Sequence, residues 1–148
     1  MRVETYSDRY YLDVVKLIHN FHDEAVGEYV GEFDPEAVIK TIVGLKENNA
    51  QNAFLMIVGE SCEGIIAGLE SHCMVNGRKM YQELIWYVNE PFRSRGVKLL
   101  KIVEERLKLN GFSIMIMAVL ENSKTEKLKA FYEKVGYRKM ETHYVREL

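Results

Sequence analysis

The sequence predicts an α/β fold on a mixed β-sheet, with its elements in the order β-α-α-β-β-β-α-β-α-β. One observation is a β-α-β unit. Strand-like residues at Lys79–Val88 are followed by a helical segment and then by a second strand-like segment at 113–119. Such a unit places its two strands parallel and side by side. A second observation is Asn76-Gly77, a hairpin signal that makes the preceding strand antiparallel to Lys79–Val88.

In the first half of the chain, glycine and proline mark where the predicted elements begin and end. These elements are a strand at 2–6, helices at 8–25 and 35–46, and strands at 53–58 and 64–72. Gly27 and Gly31 interrupt the first helix. Asp34-Pro35 starts the second helix, because Asp is a favourable N-cap and Pro fits the first helical position. A turn at 60–63 makes the last two strands antiparallel neighbours.

In the second half, glycines end both predicted helices. The elements are a strand at 79–88, a helix from 99 onward, a strand at 113–119, a helix at 124–135 and a final strand at 138–146. Gly111 and Gly136 follow the two helices in the position of a C-cap. The strand at 113–119 is apolar on both faces, which predicts that it is buried. The simplest organisation is one domain spanning 1–148.

The bulk composition is typical of a soluble globular protein, with 47% hydrophobic and 28% charged residues. A formal net charge of -2 argues against nucleic acid as a partner, which favours a basic excess. The longest apolar run, at 114–120, is too short to cross a bilayer, and the charged start of the chain shows no signal peptide. We therefore expect a cytoplasmic protein with no membrane partner.

The cysteine and histidine spacings predict no metal site. Cys62 and Cys73 fit neither a zinc site nor a redox pair, so two reduced thiols are expected, with a Cys62–Cys73 disulfide as the alternative. His19 and His22 lie one turn apart on the first helix, but the pattern supplies no third ligand. A solvated helix face is the expected role of these two histidines.

A basic turn lies between the strand at 79–88 and the following helix. It consists of Arg93, Ser94, Arg95, Gly96, Val97 and Lys98. The unpaired N–H groups and the dipole of a helix N-terminus favour anions, Gly allows close approach, and the arginines add charge-assisted hydrogen bonds. This pattern indicates phosphate binding. Alternatively, it is an ordinary loop with solvated arginines, since it matches neither the Walker loop nor G-x-G-x-x-G.

Two segments carry a family resemblance. Arg-x-x-Gly-x after a strand resembles motif A of the GNAT superfamily of acetyl-CoA-dependent N-acetyltransferases. Asn122, followed by Phe-Tyr-x-Lys-x-Gly-Tyr at 131–137, resembles a second pattern of that superfamily. The resemblance covers the chain from about Met80 to its C-terminus. The pattern from Glu83 to Arg93 is also similar to small acetyltransferases encoded by bacteriophages.

The resemblance implies a fold and a cosubstrate site. The expected mixed sheet has helices on both faces, and its two parallel strands splay apart so that the pantetheine arm of acetyl-CoA enters the gap. That arm would hydrogen-bond to the backbone at Tyr87 and Val88. The basic turn would hold the diphosphate, and Asn122 would hold the pantetheine portion. Alternatively, Asn122 is only an N-cap of the last helix.

Lys98 departs from the superfamily pattern, which usually has Gly or Ala at that position. It would lie in the first turn of the helix, beside the expected diphosphate. Its ammonium could add positive charge to the phosphate site, or its side chain could crowd that site. We favour the first interpretation, because long basic side chains extend outward toward solvent.

Two residues are candidates for the proton transfers of acetyl transfer to an amine. Glu83, on a predicted strand face with Ile85 and Tyr87, matches the superfamily position of a general base. A nearby Lys or Arg is its alternative partner. Tyr132 matches the general acid that protonates the leaving thiolate, for which an ordinary tyrosine pKa of about 10 is suitable. Periodicity alone would make Tyr132 a core aromatic residue.

The resulting hypothesis is a cytoplasmic N-acetyltransferase that transfers acetyl directly from acetyl-CoA to a small-molecule or peptide amine. The segment 23–34 is acidic and aromatic, and the superfamily places it on the acceptor side, which suits a cationic amine. A solvated acidic loop is the alternative. Dimers are common in the superfamily, so a homodimer stays open. The alternative function is a catalytically degenerate fold that binds CoA or a protein partner.

Overall fold

The computed structural model describes residues 1–47, 52–120 and 124–146, apart from the side chains of residues 45 and 46. Its strands are β1 (Arg2–Thr5), β2 (Ala53–Val58), β3 (Ser61–His72), β4 (Lys79–Val88) and β5 (Ile114–Ile116). Its helices are α1 (Tyr11–Phe21), α2 (Gly27–Val30), α3 (Pro35–Glu47), α4 (Gly96–Leu109) and α5 (Thr125–Lys134). Short 3₁₀ segments, Asp8–Tyr10 and Glu90–Arg95, precede α1 and α4, and a π-helical turn, His22–Val26, joins α1 to α2.

The five strands form one sheet in the order β1-β2-β3-β4-β5. The pairs from β1 to β4 are antiparallel, and β4 pairs with β5 in parallel, as the sequence predicts. The parallel ladder is short, running from Met80 opposite Ile114 to Gln82 opposite Ile116. Beyond Gln82 the two strands no longer pair. This is the predicted splay, and it opens the cleft described below.

Helices cover both faces of the sheet, which confirms the predicted layers. One cluster packs α1 and α3 against the strands, with Val14, Leu17, Ile42, Leu55, Ile65 and Ile85 among its members. The other packs α4 and α5 against the opposite face, with Phe54, Ile66, Tyr81, Leu99, Val103 and Tyr132 among its members. Neighbouring strand residues belong to different clusters because successive side chains of a strand point to opposite faces. The central strands are therefore apolar on both sides.

The first helical region is longer than predicted. Gly27 does not interrupt it, because a π-helical turn carries the helix on through α2 to Val30. Gly31, at φ +83°, ends it in a conformation that suits glycine. The next helix starts as predicted, with Asp34 Oδ1 accepting a hydrogen bond from the N–H of Glu36 at 2.8 Å.

The strand predictions succeed where apolar alternation and turn residues agree. β2 and β4 have the predicted bounds. β3 begins at Ser61 rather than at 64, because the turn is a tight one centred on Gly59, at φ +63°, and Glu60. Gly77, at φ +69°, lies in the predicted hairpin connection to β4.

Two predictions about the C-terminal strands are wrong. The strand expected at 113–119 is only Ile114–Ile116 and is half-buried, because its pairing with β4 stops at the splay. The strand expected at 138–146 is irregular and exposed. Its apolar side chains, Met140, Tyr144 and Val145, are 66%, 95% and 67% exposed, so this segment offers no buried face to stabilise pairing with the sheet. Within the described ranges, no helix combines the length and apolarity needed to span a membrane.

Candidate active site

Glu83 lies where β4 and β5 separate. It is the first β4 residue beyond the parallel ladder, and its side chain is buried, with 8% exposed. Its Oε2 accepts a hydrogen bond of 2.9 Å from the backbone N–H of Ala118, on the diverging side of the cleft. The carboxylate therefore takes a backbone donor that a continuing parallel strand would have used. Within the described residues it forms no ion pair, so the alternative role, pairing with a Lys or Arg, is not realised there.

A bulge in β4 sets the direction in which Glu83 points. Gly68 of β3 faces Glu83, Ala67 faces Ile85, and Leu84 is the extra residue between them. Tyr81 accordingly packs on the α4 face, whereas Ile85 packs on the α1 face. The prediction that Glu83 shares a face with Ile85 and Tyr87 is wrong, because strict alternation does not survive the bulge.

Tyr132 of α5 reaches the same point from the other side of the cleft. Its hydroxyl lies 3.4 Å from the carbonyl oxygen of Ala118, and its ring lies among those of Trp86, Phe131 and Tyr137. Glu83 and Tyr132 therefore bracket one peptide residue, one on its N–H and the other on its C=O. The core packing expected from periodicity and the cleft position expected from the resemblance are both realised.

Burial shifts both groups toward their protonated forms, and the Glu83 charge adds to the shift of Tyr132. Burial raises the pKa of Glu83 to about 7, although the hydrogen bond from Ala118 acts in the opposite direction. Burial, followed by the nearby Glu83 charge, raises the pKa of Tyr132 well above its ordinary value. A carboxyl that titrates near neutrality is suited to a general base role. The raised pKa keeps the Tyr132 phenol protonated, but it also makes the phenol a weaker acid than the ordinary tyrosine expected from the sequence.

The basic turn is more ordered than the sequence indicates. It forms a 3₁₀ segment that runs directly into α4, and the N–H of Gly96 donates to the carbonyl of Arg93. The N–H of Gly96 is therefore already used within the turn. Gly96 lines the cavity of the cleft, and a Cβ added there would lie 3.6–3.8 Å from Trp86 and Val88.

Arg93 is the member of the turn whose side chain faces the cleft. Its guanidinium pairs with the Glu24 carboxylate, and its Nε lies 3.4 Å from the carbonyl of Val88. Arg95 instead lies over the ring of Phe92, at 5.3 Å. Of the two arginines expected to bind phosphate, Arg93 is the one that lines the cavity.

The remaining members of the turn, Ser94, Val97 and Lys98, are exposed. Lys98 does not line the cavity, so no contact there supports either crowding of the site or the favoured contribution of its charge, which stays a prediction. Asn122, the predicted pantetheine contact, falls outside the described residues.

Tyr87 and Val88, predicted as backbone contacts of the pantetheine arm, lie on the stretch of β4 that is paired with β3 but no longer with β5, and they line the same cavity. The Tyr87 hydroxyl donates to Glu24 Oε1 at 2.5 Å, which ties β4 to the π-helical turn after α1. Burial, and then this hydrogen bond, raises the pKa of Tyr87.

Both proton-transfer candidates, Glu83 and Tyr132, line one cavity of about 310 Å³ together with Arg93. Apart from Glu83, Tyr87, Val88, Arg93, Gly96, Ala118 and Tyr132, its walls come from α1 and its π-helical turn, from β4, from the segment after β5, and from the residues around α5. Both proton-transfer candidates and the cleft-facing arginine thus open into one space of the size of a small-molecule site.

Sequence reasoning missed Glu24 and Trp86 as members of the cleft. Glu24 was visible only as one acidic residue of the segment 23–34, and its pairing with Arg93 joins positions 69 residues apart. No local pattern reports a contact at that separation. In the sequence, Trp86 is an ordinary aromatic residue of a strand. Its place in the wall of the cleft follows only from the packing of its ring, 6.1 Å from that of Tyr132.

Neither the histidines nor the cysteines form a reactive or metal-binding group. Among the described residues, no three His, Cys, Asp or Glu side chains are arranged to hold a metal ion. His19 and His22 instead contact Asp23, at 3.5 and 2.9 Å. Cys62 and Cys73 are free thiols, and burial raises the pKa of Cys62 to about 12, which disfavours the reactive thiolate.

No protein-family model matches the sequence, and no curated protein matches it either. Solved structures resemble it over its whole length. Ribosomal-protein-alanine N-acetyltransferase from Brucella melitensis biovar Abortus 2308 has a TM-score of 0.74 at 12% identity, with 100% of both chains covered. Glucosamine-6-phosphate N-acetyltransferase from Arabidopsis thaliana has a TM-score of 0.70 at 12% identity, covering 99% of this chain and 97% of that one. A transcriptional regulator from Bacillus halodurans C-125 has a TM-score of 0.75 at 14% identity, with 99% of both chains covered. The chain therefore has the fold of the GNAT N-acetyltransferases.

Proposed function

We propose that this protein is an acetyl-CoA-dependent N-acetyltransferase that transfers an acetyl group directly to an amine. The observation that carries the proposal is the meeting of Glu83 and Tyr132 at the backbone of Ala118, inside the cavity that Arg93 also lines. A base and an acid on opposite sides of one apolar-walled cleft are what amide formation from a thioester requires.

The residues of the cleft fit acetyl-CoA. At Tyr87 and Val88 the edge of β4 that no longer pairs with β5 offers backbone groups to an extended amide-containing arm, which would pair there like an added strand. Arg93 supplies a guanidinium for a diphosphate, and the N-terminal end of α4 favours negative charge. The cosubstrate supplies the activated acyl thioester; the chain supplies its position and the proton transfers.

Glu83 is the proposed general base. With a pKa of about 7, a substantial part of its population is ionised at neutral pH and can accept the proton of an incoming ammonium, directly or through one water molecule. The hydrogen bond from Ala118 fixes one carboxylate oxygen, so the other is the one available to the amine. The deprotonated amine nitrogen then forms its bond to the acyl carbon.

Tyr132 is the proposed general acid. As the C–N bond forms, the C–S bond breaks, and the leaving sulfur takes the electron pair and the Tyr132 phenolic proton. Burial and the Glu83 charge keep this phenol protonated until that step. The nitrogen bonded to the acyl carbon still carries one proton more than the amide, and this proton passes to the Tyr132 phenolate, directly or through water. Glu83 releases its proton to solvent, so each turnover converts one ammonium and one thioester into one amide, one thiol and one proton. No cysteine lines the cavity, and direct transfer needs none.

The test is acetyl-CoA binding by calorimetry, followed by turnover with a panel of amines, small and peptidic. The matched pair of variants is Arg93→Ala and Arg95→Ala, which remove the same charge from the arginine that lines the cavity and from the one that packs on Phe92. We expect micromolar binding that Arg93→Ala weakens by roughly tenfold or more and Arg95→Ala changes little, as suits a charge-assisted contact. Absence of acetyl-CoA binding by the folded wild-type protein would refute the proposal.

Two observations favour the second candidate, a degenerate fold that binds CoA or a protein without turnover. Arg93 is already paired with Glu24, and the N–H of Gly96 is already bonded within its turn. One solved structure of this fold is described as a transcriptional regulator. Acetyl-CoA binding without turnover of any amine, in both wild type and Glu83→Gln, would favour this candidate over the enzyme.

A further inference from the structure

Glu24 joins three groups across the mouth of the cleft. It lies in the π-helical turn after α1, and its two carboxylate oxygens contact different partners. Oε1 accepts the Tyr87 hydroxyl at 2.5 Å, while Oε2 pairs with the Arg93 guanidinium and lies 3.9 Å from Lys124 Nζ. The carboxylate therefore links the helical side of the cleft to β4, to the basic turn and to the start of α5.

This ion pair uses the cation that the proposed function assigns to the diphosphate. Glu24 and Arg93 side chains are 39% and 37% exposed, so water and dissolved ions reach the pair. An exposed pair of this kind is held weakly and exchanges readily for a stronger anion. A diphosphate carries more charge than one carboxylate and can bind the guanidinium in a bidentate manner.

We propose that Glu24 is an internal competitor for the phosphate site, whose carboxylate occupies Arg93 until the diphosphate of the cosubstrate displaces it. This inference rests on the proposed function. It makes Glu24 a residue that sets cosubstrate affinity and that holds the π-helical turn against β4 when Arg93 carries no phosphate. The Tyr87 hydroxyl retains one oxygen of Glu24 during the exchange, so the carboxylate moves locally and stays beside the cleft.

Whether a change at Glu24 tightens or weakens cosubstrate binding distinguishes competition from a structural or binding role. If the fraction of protein with a free Arg93 limits binding, the apparent dissociation constant is the intrinsic one divided by that fraction. Removing the Glu24 charge then tightens cosubstrate binding, although the same change lowers the stability of the protein without ligand. A residue that merely supported the fold, or that contacted the cosubstrate favourably, would weaken binding when changed.

The experiment compares Glu24→Gln with Glu28→Gln, since both remove one negative charge from the same segment and Glu28 lies outside the ion pair. Acetyl-CoA binding is measured by calorimetry at low and at 0.5 M salt. Acetyl-pantetheine, which lacks the diphosphate, serves as the ligand control. We expect Glu24→Gln to bind acetyl-CoA roughly threefold to tenfold more tightly than Glu28→Gln at low salt, because an exposed ion pair such as Glu24–Arg93 contributes an energy of that order. We expect equal affinity of both variants for acetyl-pantetheine.

The outcomes distinguish this inference from the function on which it rests. Turnover by the wild type, with Glu24→Gln no tighter than Glu28→Gln, would overturn the inference and leave the enzyme intact. Failure of wild type and Glu24→Gln alike to bind acetyl-CoA would overturn both the proposed function and the inference. Folding of each variant is checked by its thermal unfolding, where Glu24→Gln should melt earlier than Glu28→Gln.

Discussion

The carboxylate of Glu83 and the backbone N–H of Ala118 are joined by a 2.9 Å hydrogen bond at the point where the parallel strands stop pairing. A buried carboxylate without such a donor would be costly, and a strand N–H left without an acceptor would be costly too. Each group satisfies the other. The splay is therefore stabilised by the same residue that we propose as the base.

We expect the pH dependence of kcat/KM to report Glu83. Since the base must be ionised and its pKa is about 7, activity should rise through neutrality and level off above pH 8. Glu83→Gln should lower kcat by about 10²-fold or more and remove the inflection. The measurement is a pH–rate profile with an amine acceptor whose own pKa lies well outside this range. An unchanged inflection in Glu83→Gln would assign it to another group.

The same group should destabilise the fold as pH rises. Its folded pKa, about 7, lies above the ordinary 4.5, so the folded state binds the proton more tightly than the unfolded state does. The free energy of unfolding should therefore fall as pH rises from 4.5 through 7. Glu83→Gln should be more stable than wild type at pH 8, by up to about 3 kcal/mol, with the difference vanishing near pH 4. Urea denaturation at the two pH values measures this, and an equal difference at both would contradict it.

Tyr132 and Tyr137 offer a matched pair of hydroxyl deletions. The Tyr132 hydroxyl makes only a long contact of 3.4 Å to Ala118, whereas Tyr137 donates a 2.6 Å hydrogen bond to Glu104. Tyr132→Phe should lower kcat by about 10²-fold with a stability change below about 0.5 kcal/mol. Tyr137→Phe should keep kcat and lower the free energy of unfolding by about 1.5 kcal/mol. Equal kcat in the two variants would exclude Tyr132 as the acid.

Lys98 is expected to have little influence on cosubstrate binding. It is exposed and lies outside the cavity, so its charge acts through water and is screened by salt. Lys98→Ala should change the dissociation constant of acetyl-CoA by less than about threefold in either direction at 0.15 M salt. The dissociation constant is measured by calorimetry, and the loss of affinity in Arg93→Ala serves as the reference for a large effect. A tenfold gain in affinity would show that Lys98 obstructs the site.

The layers of this fold could be predicted because local signals agreed with burial. β2 and β4 have the predicted bounds, since alternation and turn residues coincide there. The predicted C-terminal strand is wrong because strand propensity does not report whether a segment has a partner against which to bury its side chains. Tyr144, for example, is 95% exposed. The bulge at Leu84 leaves no mark in the sequence, so the face on which Glu83 lies could not be predicted.

The candidate site was predictable only in its parts. The resemblance located Glu83, Tyr132 and Arg93, but not the relations among them. The contact of Glu83 with Ala118 spans 35 residues, and that of Arg93 with Glu24 spans 69. Both depend on how helices and strands pack, which a local pattern does not encode. These long-range contacts bring the candidate residues together in one cleft.

Gly68 is where we expect one methyl group to have the largest effect. A Cβ there would lie 2.3 Å from the carbonyl oxygen of Gln82 and 2.7 Å from the ring of Tyr81. The carbonyl belongs to the paired strand, and the ring is held by the Tyr81 hydroxyl bond of 2.8 Å to the carbonyl of Asn52. Moving either neighbour would disrupt the strand pairing or the Tyr81 hydrogen bond, so Gly68→Ala should lower the free energy of unfolding by about 3 kcal/mol or more.

Gly44→Ala is the control, because that glycine lies inside α3 and a Cβ there meets nothing within 4 Å. It should raise the free energy of unfolding by about 0.5–1 kcal/mol through helix propensity alone. Urea denaturation of both variants gives the comparison. Gly68→Ala matching wild type would mean that β3 and β4 do not pack as closely as described. If Gly68→Ala folds but loses activity, the displaced Tyr81 ring is the cause we expect, since Tyr81 shares its strand face with Glu83.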